Sequence, residues 1–134
     1  NIANILVKQG QLDEALKMFN KALKIERRAL GEDHQDVADR LINIGVIYGQ
    51  QGKYDEALES YGEALSIYTR ALGIDSRQSA SVHCAIALAK RESNDVDGAV
   101  ESARESVRIY SKLGINDDRS LDASKLLREL EGRR

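Results

Sequence analysis

The chain has 134 residues, one cysteine and no proline, and its 20 basic and 22 acidic side chains leave a net charge of -2. So balanced a surface excludes a global field that would gather nucleic acid, an anionic membrane or acidic substrates. The lone thiol, Cys84, excludes an internal disulfide and suits a reducing, cytoplasmic setting, and the longest unbroken apolar run, 84–89, is far shorter than the roughly 18 residues a spanning helix needs.

Apolar side chains recur at three- and four-residue intervals along the whole chain, which predicts helices over 1–9, 12–30, 34–51, 54–72, 76–93, 95–113 and 117–131. The first is short and closes at Gly10. The second carries Leu12, Ala15, Leu16, Phe19, Ala22, Leu23 and Ile25, and the fourth repeats that pattern as Tyr54, Ala57, Leu58, Tyr61, Ala64, Leu65 and Ile67. Within each helix pair the break falls at Gly10, Gly52 and Asn94, and connections this short make the paired helices antiparallel neighbours. Each longer helix ends at Leu30-Gly31, Leu72-Gly73 or Leu113-Gly114, where glycine supplies a positive φ at little steric cost. Two residues beyond stand Asp33, Asp75 and Asn116, expected N-caps for the helices that follow, with Gln78 completing a capping box from Asp75.

These elements are copies of one unit. Shifted by 42 residues, 16 of the 31 pairs from Asn1/Asn43 to Gly31/Gly73 are identical, and the block from Gly10 to Leu16 returns from Gly52 to Leu58. The third unit is more diverged. Self-similarity of this period marks a solenoid whose units bury their apolar faces only by stacking. The expected division is a partial repeat 1–31, repeats 32–73 and 74–114, and a capping helix 117–131. Arg128 there takes the column of Ala3, Gly45 and Ala87 and would obstruct a further partner helix. The chain opens in register with Asn43, as a piece of a longer array would.

The run Ile44-Gly45-Val46-Ile47-Tyr48, followed by Ala57, Tyr61 and Ala64, resembles the tetratricopeptide repeat. The 42-residue period, the sequence from Ala29 to Ala38 and the block Gly52-Lys53-Tyr54-Asp55-Glu56-Ala57 look like its kinesin light chain subtype, with Gln35 in place of that family's proline and Ala103 in place of an aromatic. The resemblance implies an all-α solenoid, a right-handed superhelix whose first helices line a concave groove that holds a peptide or helix of a partner protein. Carried over column by column, the groove residues are Asn1, Asn4 and Lys8, then Asp39, Ile42, Asn43, Val46 and Gln50, then Ser81, Cys84, Ala85, Leu88 and Glu92. Asn43 takes the column that grips a peptide backbone. Relatives that hold a chaperone's C-terminal carboxylate use basic residues where Ser81 and Ala85 stand, so that ligand is not expected here.

No constellation supports catalysis, a metal or a cofactor. His34 sits in a connector and is expected to be solvated; His83 is expected to be packed and hydrogen-bonded. Lys17, Lys21, Lys24 and Arg28, continued by Arg104, Arg108 and Lys112, form a basic stripe that is expected to be a solvated convex face, without nucleic-acid or membrane binding. The expected function is a non-enzymatic protein-interaction scaffold. The alternatives are a ligand-free spacer within a longer array or a basic convex-face binder. Weak self-association is expected through the open face of the first unit.

Overall fold

The computed structural model describes residues 2–133, with side chains from Lys8 onward. Among these residues six helices follow one another: α1 (Ile2–Leu30), α2 (Gln35–Gln50), α3 (Tyr54–Leu72), α4 (Arg77–Glu92), α5 (Val96–Leu113) and α6 (Asp118–Gly132). Each packs mainly on its neighbours in sequence, and the closest pairs are α2 with α3 and α4 with α5. The result is an all-helical solenoid in which α2, α4 and α6 alternate with α1, α3 and α5.

The buried faces follow the repeat. Ala57, Tyr61, Ala64, Ile67 and Tyr68 of α3 are buried, as are their counterparts Ala99, Ala103, Ser106, Ile109 and Tyr110 of α5. Ser106 is fully buried, and its hydroxyl donates to the Ala80 carbonyl at 2.7 Å, which meets the hydrogen-bonding need of a polar atom in an apolar seam. One apolar cluster joins α1 to α4, and two more join α4, α5 and α6.

Two expectations are corrected. The segments 1–9 and 12–30 are one helix, because α1 runs unbroken through Gly10. At Gly52 (φ 77°) and Asn94 (φ 68°) the chain does turn, with the Lys53 and Asp95 amides donating back to Tyr48 and Lys90 carbonyls, both at 2.8 Å. Those turns are held by α2 and α4, each 16 residues long and packed along the helix that follows.

Every helix start after the long connectors lies one residue later than expected. His34, Ser76 and Asp117 are the N-caps. His34 is therefore a cap, its Nδ1 accepting from the Asp36 amide at 3.0 Å. Gln78 forms no capping box, which belongs instead to Asp117 and Ser120. The displaced aspartates form ion pairs: Asp33 with Arg70 at 2.6 Å, and Asp75 with Arg108 at 2.8 Å and Lys112 at 2.6 Å. Arg70 and Lys112 share a repeat column, so both connectors are fastened to the end of a later helix in the same way. The helix-end glycines Gly31, Gly73 and Gly114 have positive φ as expected, and Arg128 on α6 is exposed.

Candidate functional site

Helices α2 and α4 present matching stripes to one side of the stack. On α2 the stripe is Asp39, Ile42, Asn43 and Val46; on α4 it is Gln78, Ser81, Val82 and Ala85, each set at helical spacings of three and four. Between them lies a groove of about 600 Å³. Tyr68 of α3 also lines it, as do two arginines, Arg77 from the first turn of α4 and Arg119 from the first turn of α6.

The electrostatics of the groove are uneven. The buried Tyr68 hydroxyl donates to the Asp39 carboxylate; burial, then hydrogen bonding and proximity to that carboxylate, push the phenol well above its usual range. Arg77 donates from Nη1 to Asp117 Oδ2 at 2.7 Å. Asp117 is held below the ordinary carboxylate range, first by the Ser120 amide it caps and then by Arg77. Arg119 donates from Nη1 to the Ser81 hydroxyl at 3.2 Å, and among the described residues it makes no ion pair.

Of the residues expected in the groove, Asp39, Ile42, Asn43, Val46, Ser81 and Ala85 line it together. Lys8, Gln50, Cys84, Leu88 and Glu92 do not. Gln50 and Glu92 lie at the far ends of α2 and α4. Cys84 turns toward the seam with α5 and α6, half-buried beside both C-terminal clusters, where burial raises its thiol. Leu88 is 40% exposed outside the groove. Lys8 is exposed on the straight α1 rather than on a separate first helix. The side chains of Asn1 and Asn4 fall outside the described residues.

Tyr68, Arg77, Gln78, Val82 and Arg119 were not foreseen. Gln78 could have been found by extending the Ser81 stripe back by one turn, and Val82 by stepping back three residues from Ala85. The arginines could not, because they enter from first-turn positions that depend on where each helix begins.

Elsewhere the chemistry is quiet. His83 is half-buried without a hydrogen bond among the described residues, contrary to expectation, and desolvation lowers its pKa despite the opposing charge of Glu105. No cluster of three or more metal-ligating side chains occurs among the described residues, and none of their helices is long and apolar enough to cross a membrane. Part of the basic stripe is neutralised: Arg104 pairs with Glu131 at 3.1 Å, while Arg108 and Lys112 share Asp75.

A model of the tetratricopeptide repeat matches residues 1–70 and again 40–112. Among solved structures, BtubC (BKLC) from P. vanneervenii superposes with a TM-score of 0.76 at 25% identity, over 98% of this chain and 57% of that one. Nearly identical TPR-like repeats of the kinesin light chain kind from Podosopora anserina superpose with a TM-score of 0.72 at 21% identity, over 93% of this chain and 61% of that one. A singly substituted form of the same repeats gives 0.74 with the same identity and coverage. The chain thus spans about three fifths of the length of these structures. No curated protein matches the sequence.

Proposed function

Because the chain belongs to the tetratricopeptide repeat family, we propose that it is a non-catalytic interaction scaffold that holds an extended peptide or a helix of a partner protein between α2 and α4. The observation that carries this is the groove itself. Nine residues from two helices line about 600 Å³ of open space that mixes apolar side chains (Ile42, Val46, Ala85) with an exposed amide (Asn43). An apolar floor alone would let a peptide slide. Register must come from a polar group that bonds the peptide backbone, and an amide side chain can both donate and accept.

Peptides selected from a display library on the whole chain, then titrated into variants, test this. Asn43→Ala should weaken binding about ten- to hundredfold, the range expected when a desolvated polar partner is removed. Val46→Glu should weaken it further by placing a charge on the floor, while the exposed Lys21→Ala on α1 should leave it unchanged. Loss of affinity in Lys21→Ala with Asn43→Ala unaffected would move the binding surface to the convex face. That alternative is disfavoured by the ion pairs that occupy Arg104, Arg108 and Lys112.

A further inference from the structure

One face of α1 is left bare by the rest of the stack. Glu14, Met18, Lys21, Ile25 and Arg28 follow one another at steps of four, three, four and three, the spacing that keeps side chains on a single line along a helix. All five are exposed. The polar bonds that α1 makes to other segments leave from elsewhere on its surface: Asp13 accepts from Gln51 at 2.6 Å, Glu26 pairs with Arg40 at 2.7 Å, and Arg27 pairs with Glu32 and Glu63. Lys21 and Arg28 take part in no ion pair among the described residues.

The charge on this side of α1 departs from the repeat. Counted by 42 residues, the columns of Lys17 and Lys21 hold Glu59 and Glu63 on α3, then Glu101 and Glu105 on α5. On α3 those glutamates line a cavity of about 230 Å³ shared with α1, where Glu63 takes the guanidinium of Arg27. There α3 meets the helix before it with acid, and that helix answers with base. On α1 the same columns carry lysine, so a helix that lies against them answers with acid.

We propose that this face of α1 is a second interaction surface, separate from the groove, which takes an acidic amphipathic helix of a partner protein. Laid along the line, the partner sets apolar side chains against Met18 and Ile25, and glutamate or aspartate against Lys21 and Arg28. That is the register of a short coiled coil, in which apolar contact gives adhesion and charge gives choice. A second copy of the chain fits less well. Pairing α1 with α1 brings Lys17, Lys21, Lys24 and Arg28 of both copies to one seam, against a single Glu14 from each, and like charges side by side oppose it. A basic helix is refused for the same reason.

The probes are synthetic helical peptides of about 21 residues, three heptads, N-acetylated and C-amidated, titrated into the whole chain by fluorescence anisotropy. Two carry leucine at the seam positions that face Met18 and Ile25, one with glutamate and the other with lysine at the seam positions between. A third has the glutamate peptide's composition in shuffled order. The ordered acidic peptide is expected to bind, with an affinity that falls as salt rises, and the other two are not. Lys21→Glu combined with Arg28→Glu should weaken it about tenfold and admit the lysine peptide. Ile25→Ser should also weaken it, while Asn43→Ala in the groove should leave it unchanged. The three α1 positions are exposed, and an unchanged helical signal and melting temperature would establish that the variants are folded. No binding of the ordered acidic peptide, equal binding of the shuffled one, an acid preference that survives the charge reversal, or sensitivity to Asn43→Ala in place of Ile25→Ser would each overturn the assignment. Attachment to phosphatidylserine vesicles in the absence of peptide binding would give the face to a membrane. Self-association that the acidic peptide fails to reverse would give it to a second copy, and either result overturns the proposal.

Discussion

At the scale of single residues, two facing pairs explain where the repeat departs from its own pattern. A Cβ built on Gly45 would lie 2.6 Å from Tyr61 Cε1, so the ring occupies the space that any side chain there would need. One repeat later the same columns hold Ala87 and Ala103, both buried in one cluster. A large residue facing none has become two small ones. Gly45→Ala should therefore cost about 1–3 kcal/mol, the usual range for overpacking, measured by urea unfolding. Adding Tyr61→Ala should cost less than the sum of the two single changes, because it recreates the Ala87/Ala103 arrangement. Ala57, wholly buried, should behave likewise: Ala57→Leu should lower the melting temperature far more than Ala71→Leu at an exposed position. The small-residue columns were legible in the sequence, since Gly45, Ala57, Ala87 and Ala99 recur at the repeat period. That Ala103 is compensated by Ala87 was not, because the compensation crosses between helices and no periodicity within one helix reports it.

At the scale of elements, helix existence was legible and helix boundaries were not. Three aspartate or asparagine residues stood two past each glycine, and each was a plausible cap by residue type. The true caps are His34, Ser76 and Asp117, one residue on, because fastening Asp33 and Asp75 to α3 and α5 fixes where the connectors end. The fusion of two expected helices into α1 has the same character, since Gly10 and Gly52 sit in closely similar local sequence and only Gly52 takes a positive φ. Capping should be measurable. Asp117→Ala removes the acceptor for the Ser120 amide and should lower the melting temperature, as loss of an N-cap does. Asp117 and Asp75 are also held below the ordinary carboxylate value of 3.8. A carboxylate whose folded pKa is depressed contributes stability above its unfolded pKa and loses it as pH falls through the folded one. Thermal melts should accordingly be flat in this respect above the ordinary carboxylate range and decline below it. Asp117→Asn, which keeps a cap acceptor, should show a shallower acid decline than the parent chain. Equal declines would remove Asp117 from the acid response.

At the scale of the whole molecule, an apolar repeat column is covered on α3 and α5 and uncovered on α1. Ile67 and Ile109 are 2% and 0% exposed, whereas Ile25 in the same column of α1 is 65% exposed and Met18 is 68% exposed. An apolar stripe that interior repeats cover should pair copies weakly in solution. Sedimentation is expected to show concentration-dependent association that Ile25→Glu reduces; a strict monomer at high concentration would contradict it. The groove was half legible. Its α2 side and the Ser81–Ala85 stripe followed from the columns, while the arginines depended on helix starts, which the sequence alone misplaced by one residue. The same misplaced aspartates have a mechanical consequence. Their clasps to Arg70, and to Arg108 and Lys112, are solvent-facing ionic tethers, whereas the buried seams between helices are apolar clusters, with ion pairs such as Arg40–Glu26 and Arg104–Glu131 beside them. The Debye length falls from about 8 Å at physiological salt to about 3 Å at 1 M, so salt slackens the tethers and spares the seams. The solenoid should then act as a spring whose stiffness is set by the solvent: in small-angle scattering it should lengthen or uncoil slightly with rising salt while its helical content stays constant, and the gap between α2 and α4 should widen with it.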